Sequence, residues 1–347
     1  MRCRRKTARV HSAISSTLLL VIGCLPVCCQ TEWTRQSVGS LASLHAVFFL
    51  DENQGWAGGT RGTLLSTVDA GNSWQLMSKP TTDIIRDLYF VDNLHGWLVC
   101  AVNSYDATNK QDAQTYLMQT DDGGASWNRL GIGSTGAKTR VVGAVLRRKG
   151  GRGWAFGEEG TIFATQDSGK TWQSLQSPTH HLLLGGTFID DNYGWLVGTG
   201  ATILRTSDGG YTWQLSGVTD SNEGAVRFAA VSFVDNRGGW VVGTEGRIYR
   251  TIDGGSTWQS QSSGTAADLF DVKFLDRFEG WAVGARGTIV HTVDGGLHWT
   301  IEPSGTQHPL EKIFLATRNR GWVVGFGGTI LTYKRAERRR RAVNAEP

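Results

Sequence analysis

The stretch Gly280–Trp299, GWAVGARGTIVHTVDGGLHW, decides the architecture, because the chain repeats it. The same frame begins again at Gly239 (GWVVGTEGRIYRTIDGGSTW), Gly194 (GWLVGTGATILRTSDGGYTW), Gly153 (GWAFGEEGTIFATQDSGKTW) and Gly55 (GWAGGTRGTLLSTVDAGNSW). Gly-Trp pairs occur at Trp56, Trp97, Trp154, Trp195, Trp240, Trp281 and Trp322. A period of about 40 residues marked by glycine and tryptophan signals a radial or solenoid array. Six more tryptophans, Trp74, Trp127, Trp172, Trp213, Trp258 and Trp299, close turns of the form T-x-D-x-G-x-[ST]-W, with His298 replacing Ser or Thr in the last. Short runs rich in Val, Ile, Leu, Phe and Trp between glycine-bearing turns read as strands joined by hairpins. Runs of helical period are absent. A further apolar run, such as Val226 to Val234 or Phe270 to Leu275, precedes the Gly-Trp strand, so each unit holds four strands. Four antiparallel strands repeated radially form a propeller blade.

The two ends of the chain set the blade count. The seventh unit, from Gly321, stops at Ile330-Leu331-Thr332-Tyr333, with no Asp turn and no closing tryptophan. The fourteenth tryptophan opens Trp33-Thr34-Arg35-Gln36, which is similar to the outer strand Trp299-Thr300-Ile301-Glu302 of the sixth unit. The reading is an all-β, seven-bladed propeller whose last blade is closed by the N-terminal strand. Such closure removes open sheet edges.

Each position of the Asp turn has a physical reason. Asp69, Asp122, Asp167, Asp208, Asp253 and Asp294 are placed to accept backbone N–H groups of the turn that follows. The glycine two residues on permits positive φ. Carboxylates recurring six times are expected to be structural, since an active site occurs once. The closing tryptophan is expected to pack between neighbouring blades.

The 347 residues carry a formal net charge of +4, but the basicity lies at the ends. Arg2, Arg4, Arg5, Lys6 and Arg9 begin the chain, and Lys334, Arg335 and Arg338 to Arg341 end it. Without these, Glu337 and Glu346, the 35 bases and 31 acids fall to 24 and 29, leaving a mildly acidic ring. That balance disfavours nucleic acid as a partner. Residues 1–29 read as an export signal, with a basic start and an apolar stretch from Ala13 to Val27 that is short for a spanning helix. Within it, Val21-Ile22-Gly23-Cys24 resembles a bacterial lipobox, making Cys24 a candidate for lipidation, with plain secretion the alternative. The expected organisation is thus a signal and lipobox region over 1–29, a propeller over 30–333 and a basic tail over 334–347. An extracytoplasmic monomer, anchored to a membrane if the lipobox is used, follows. The five cysteines form no disulfide framework, and Cys100 takes the place of a glycine in other units. No Cys/His metal spacing occurs, and no cofactor is expected.

Few residues stand out as a site. There is no glycine-rich phosphate loop, serine elbow or His–acid pair. The second unit carries 32 residues from Gly96 to Trp127 where others carry 20, through a polar insert over 102–114. Insertions on one face of a repeat array often mark the binding side. The loop Arg147-Arg148-Lys149-Gly150-Gly151-Arg152 is the one cluster of positive charge inside the ring, which makes Arg147, Arg148, Lys149 and Arg152 candidate docking residues.

The frame GW-[AV]-VG-x-x-GTI-x-x-T-x-DGG-x-TW, with a split last blade over Trp33 to Tyr333, resembles the photosystem II stability/assembly factor family of Asp-box (bacterial neuraminidase repeat) propellers. The resemblance implies a non-enzymatic scaffold that binds newly made membrane proteins. It also implies an arginine patch, for which the loop ending at Arg152 is the counterpart. Sialidases share the Asp turn, so a glycoside hydrolase or glycan-binding propeller is the alternative. Two carboxylates facing one pocket at about 5–10 Å would mark it.

Overall fold

A computed structural model describes residues 32–102, 115–132, 141–146, 151–218 and 226–335. Seven four-stranded antiparallel sheets form the blades of a propeller. From blade one to blade seven the inner strands are Leu44–Phe49, Ile84–Phe90, Val141–Leu146, Leu183–Phe188, Phe228–Phe233, Leu269–Phe274 and Leu310–Thr317. A second strand opening at or next to each Gly-Trp pair, a third, and an outer strand follow in every blade. Among the described residues no helix is long and apolar enough to cross a membrane.

The ring closes as the ends of the sequence imply. Trp33, Thr34 and Arg35 pair with Tyr333, Thr332 and Leu331, giving blade seven its outer strand. A side-chain contact repeats the kinship. The closing indoles of Trp74, Trp258 and Trp299 donate Nε1–H to Gln36, Ser216 and Gln261 at the end of the outer strand of the preceding blade. Trp33 does the same to Glu302 Oε2 of blade six at 2.8 Å.

The Gly-Trp pair is explained by a phenylalanine. In blade four, Phe188 lies opposite Gly194. A Cβ at Gly194 would stand 2.2 Å from the Phe188 ring, so only glycine leaves room for it. The other face of that ring stacks on Trp154 of the preceding blade, with centroids 3.5 Å apart and planes 7° apart. Trp213, which closes the same blade, meets Phe188 edge-on at 6.0 Å. The arrangement recurs with Trp56 on Phe90, Trp195 on Phe233, Trp240 on Phe274 and Trp322 on Phe49. Aromatic pairs of this kind add about 0.5–1.5 kcal/mol beyond the area they bury. The apolar core is therefore interfacial: clusters such as Trp195, Phe228, Phe233, Val241 and Trp258 span two blades.

In a four-stranded meander the first and third connections share one edge and the second lies on the other. The first connection and the Asp turns thus define one face of the ring, the Asp-turn face. The second connections and the links between blades that are described lie on the opposite face. The insert and the loop over 147–150 are outside the described residues, as are residues 1–31 and 336–347.

Candidate functional site

At the Asp turn of blade five, Asp253 Oδ1 accepts Thr257 N–H at 2.9 Å and the Thr251 hydroxyl at 2.8 Å, while Oδ2 accepts the Thr257 hydroxyl. Gly255, at φ +84°, donates its N–H to Thr251 Oγ1. Asp69, Asp122, Asp167 and Asp208 have the same partners in their turns. In blade six the His298 ring replaces the hydroxyl, with Nδ1 2.7 Å from Asp294 Oδ2. Hydrogen bonds from Ser126 and Thr120 hold the Asp122 carboxyl down at about 2. Asp167, hydrogen-bonded by Thr171, is likewise held at about 2. Each of these carboxylates is engaged by its own turn.

A second recurrent turn was not anticipated from the sequence. In the first connection of five blades an aspartate caps two N–H groups: Asp51, Asp92, Asp190, Asp235 and Asp276 each accept them at 2.7–2.9 Å. Arginines then link neighbouring blades across this face. Arg277 Nε meets Asp235 at 2.6 Å, and Arg318 pairs with Asp276. Arg152, the described member of the candidate docking loop, donates to the Asp191 carbonyl of blade four at 3.1 Å. It lines a groove of about 290 Å³ between blades three and four with Gln166, Trp172 and Tyr211.

The centre of the ring holds a cavity of about 430 Å³, lined by the inner strands of every blade but the fifth. Each inner strand has a register shift near its start, with His45, Arg86, Val142, Leu184, Ala229, Phe270 and Glu311 as the extra residues. Bulges re-aim side chains and end regular pairing. The starting end, which opens toward the opposite face, is polar: His45 lies 3.4 Å from Glu311, and Arg86, Asp87 and Lys312 line the wall. Further along, Phe48 packs edge-on against Tyr89 and Phe314 at 5.0 and 5.4 Å. Asp271, 3 % exposed, accepts Ile313 N–H at 3.0 Å. Its charge, joined by that of Asp87 against the effect of burial, holds the Lys312 pKa well above the usual lysine range. Burial pushes the Lys273 pKa down, against the pull of Asp271. The channel therefore offers paired charges at one end and an aromatic belt at the other.

A third polar cluster lies between blades six and seven. His291 stacks on Trp281 at 4.1 Å, with Nδ1 3.0 Å from Glu302 Oε1 and Nε2 3.4 Å from Glu279 Oε1. The Nε2 contact lacks hydrogen-bond alignment and acts through charge. Arg335 and Arg318 reach Glu279 at 3.0 and 3.3 Å. Burial opposes the imidazolium, but the contacts with Glu279 and Glu302 and the charges of both outweigh it and raise the His291 pKa. Glu279 and Glu302 are 3 % and 6 % exposed and sealed by cations, so this carboxylate pair offers no pocket for a sugar. Among the described residues no group of three His, Cys, Asp or Glu side chains is arranged to hold a metal. Cys100 is buried and unpaired, and burial pushes its thiol up to about 12.

A family model described as "Photosynthesis system II assembly factor YCF48" matches residues 72–180, 171–265 and 259–334. The photosystem II stability/assembly factor HCF136, chloroplastic, of Arabidopsis thaliana is 25% identical over 194 residues, covering 53% of this chain and 45% of the relative. The match thus spans about half of that curated relative. Among solved structures, YCF48 from Cyanidioschyzon merolae superposes with a TM-score of 0.69 at 20% identity, over 87% of this chain and 98% of the other. A structure of YCF48 bound to D1 peptide gives 0.70 at 21%, over 88% and 97%. The GH74 xyloglucanase from Xanthomonas campestris gives 0.66 at 11%, over 87% and 53%. Likeness at these identities shows the fold alone.

Proposed function

The chain belongs to the Photosynthesis system II assembly factor YCF48 family, and on that footing we propose that it is a non-catalytic, extracytoplasmic scaffold that binds a polypeptide partner at a membrane. The observation that carries this reading is the family match over 72–334, which takes in the repeats from the end of blade one to the last blade. The solved relative bound to D1 peptide supports a peptide segment of a membrane protein as the ligand. The apolar stretch ahead of Cys24 supports export, with lipidation of Cys24 as the anchor. Arg147, Arg148 and Lys149, with Arg152 at the groove between blades three and four, form the docking surface, where arginine is suited to bidentate contact with carboxylates.

A labelled D1 peptide titrated into the full chain tests this. Reversing the loop charge (Arg147→Glu, Arg148→Glu, Lys149→Glu) should weaken binding at least about tenfold. A parallel variant, Lys312→Glu, reads out the central channel on the other side. Loss in the channel variant alone would move the site there, and no binding by the parent chain would remove the scaffold reading. Turnover of fluorogenic glycosides would overturn the non-catalytic assignment.

A further inference from the structure

We propose that the protein lies on an anionic lipid surface with the Asp-turn side of blades five to seven against the headgroups. Three independent features meet there. The described chain begins at Glu32 and ends at Arg335 on this side, because Trp33 and Tyr333 pair where other blades carry the Asp turn. What adjoins those ends in the sequence is the apolar stretch from Ala13 to Val27 on one side and Arg338 to Arg341 on the other.

Exposed apolar side chains gather on the same side. Twelve large ones are more than half exposed among the described residues, and seven of them sit in turns of the Asp-turn face. Four of the seven belong to blades five and six: Ile252, Phe278, Val293 and Leu297, at 60, 62, 64 and 69 % exposure. Phe278 adjoins the turn carrying Val293 and Leu297, since Gly295 of that turn donates its N–H to the Phe278 carbonyl. Large apolar groups standing in water around a rim suit the headgroup–acyl boundary.

Charge supports the sector. In blades five and six Arg277 and Arg318 pair with Asp235 and Asp276, while Asp253 and Asp294 keep their charge inside their turns, as their counterparts do in the other blades. Arg237 and Lys334 are exposed beside them. Blades one, two and four add the carboxylates of Glu52, Asp121 and Asp191 to the face, and blade three adds Lys170. Approach to an anionic surface is favoured through blades five to seven, where the arginine run adjoins the described chain. The mouth of the central channel on the opposite face stays open to solvent.

The inference shares with the proposed function only the presence of a membrane, and its primary footprint is measured on protein-free vesicles. Hydrogen–deuterium exchange of the full chain is measured on phosphatidylcholine vesicles with and without phosphatidylglycerol. Amides of 276–279 and 293–298 should slow on the anionic vesicles at least about tenfold, and less at high salt, while 40–42 and 326–328 on the opposite face are unchanged. In Phe278→Asp/Leu297→Asp, two exposed positions whose replacement leaves the core intact, the slowing should disappear while D1-peptide binding persists. Equal slowing on both faces, or a footprint indifferent to phosphatidylglycerol, would overturn the proposal. A footprint that forms only when membrane protein is incorporated would assign the sector to a protein instead.

Discussion

Replacing Trp33 by alanine tests the closure of the ring at its narrowest point. The indole is 6 % exposed and meets Tyr333 edge-on at 4.8 Å. Loss of a buried aromatic of this size costs about 3–5 kcal/mol. The same substitution removes the 2.8 Å donor to Glu302 Oε2, in a site where that carboxylate is itself buried. An unsatisfied buried acceptor adds about 1–3 kcal/mol. Together these reach about 4–8 kcal/mol, against a total of about 5–15 kcal/mol for a typical native protein. Trp33→Phe keeps most of the apolar contact and loses only the donor, so it should cost about 1–3 kcal/mol. Thr34→Ala, on an exposed neighbour in the same strand, is the control. Urea unfolding followed by circular dichroism, with limited proteolysis at the chain ends, orders the three variants. A Trp33→Ala variant as stable as Thr34→Ala would refute the clasp, because strand pairing alone would then be closing blade seven.

Other outcomes follow from the same geometry. His291 has a raised folded-state pKa, so its stabilising contribution is fully present below its ordinary value of about 6.5 and lost as pH climbs through the folded value. Urea midpoints taken from about pH 5 to about pH 9 should fall across that window in the parent and flatten in His291→Phe. Gly239→Ala would place a Cβ 2.4 Å from the Phe233 ring and should destabilise by about 1–3 kcal/mol, read as a lower urea midpoint. Thr251→Ala strands the N–H groups of Asp253 and Gly255 that its hydroxyl accepts, and should cost about 1–3 kcal/mol by the same assay, with Thr251→Ser restoring most of it.

The fold was readable because its grammar is local and repeated. Gly-Trp and the Asp turn each fit within a few residues, and Trp33-Thr34-Arg35 announces its place by likeness to Trp299-Thr300-Ile301. The phenylalanine between blades left a signal that went unused: Phe49, Phe90, Phe188, Phe233 and Phe274 each stand six residues ahead of the glycine of a Gly-Trp pair. Blades three and seven have leucine opposite that glycine instead, Leu146 seven residues ahead and Leu315 six, which hides the rule. The channel charges were harder to foresee for a physical reason. Asp87, Asp271, Lys273 and Lys312 come from three inner strands far apart in sequence. Inner strands repeat least, and a bulge near the start of each one breaks the two-residue alternation by which facing is read. Cys24, Arg147, Arg148, Lys149 and the insert from 103 lie outside the described residues, so they stand as assignments from sequence.

Blade seven shows what closure by two termini costs and how the cost is offset. The indole N–H groups of Trp97, Trp154, Trp195, Trp240 and Trp322 each find a backbone carbonyl in the Asp turn of a neighbouring blade. Trp281 faces blade seven, where chain ends replace that turn, and its Nε1 is buried with no partner. Such an orphan costs about 1–3 kcal/mol. The space is taken by polar groups that the other blade interfaces do not need. Glu302 holds Trp33 of the first strand, and Glu279 holds Arg335 after the last. His291 lies between the two carboxylates, so its proton couples the N-terminal clasp to the C-terminal one. Under the proposed anchoring through the stretch ending at Cys24, force from a membrane would enter the ring at this cluster before any apolar blade interface. Glu279 and Glu302 are themselves sealed from water, and removing a partner of such a buried charge costs about 3–5 kcal/mol. The cluster that compensates for the missing turn is therefore also the place where loosening either terminus leaves a buried charge unpaired.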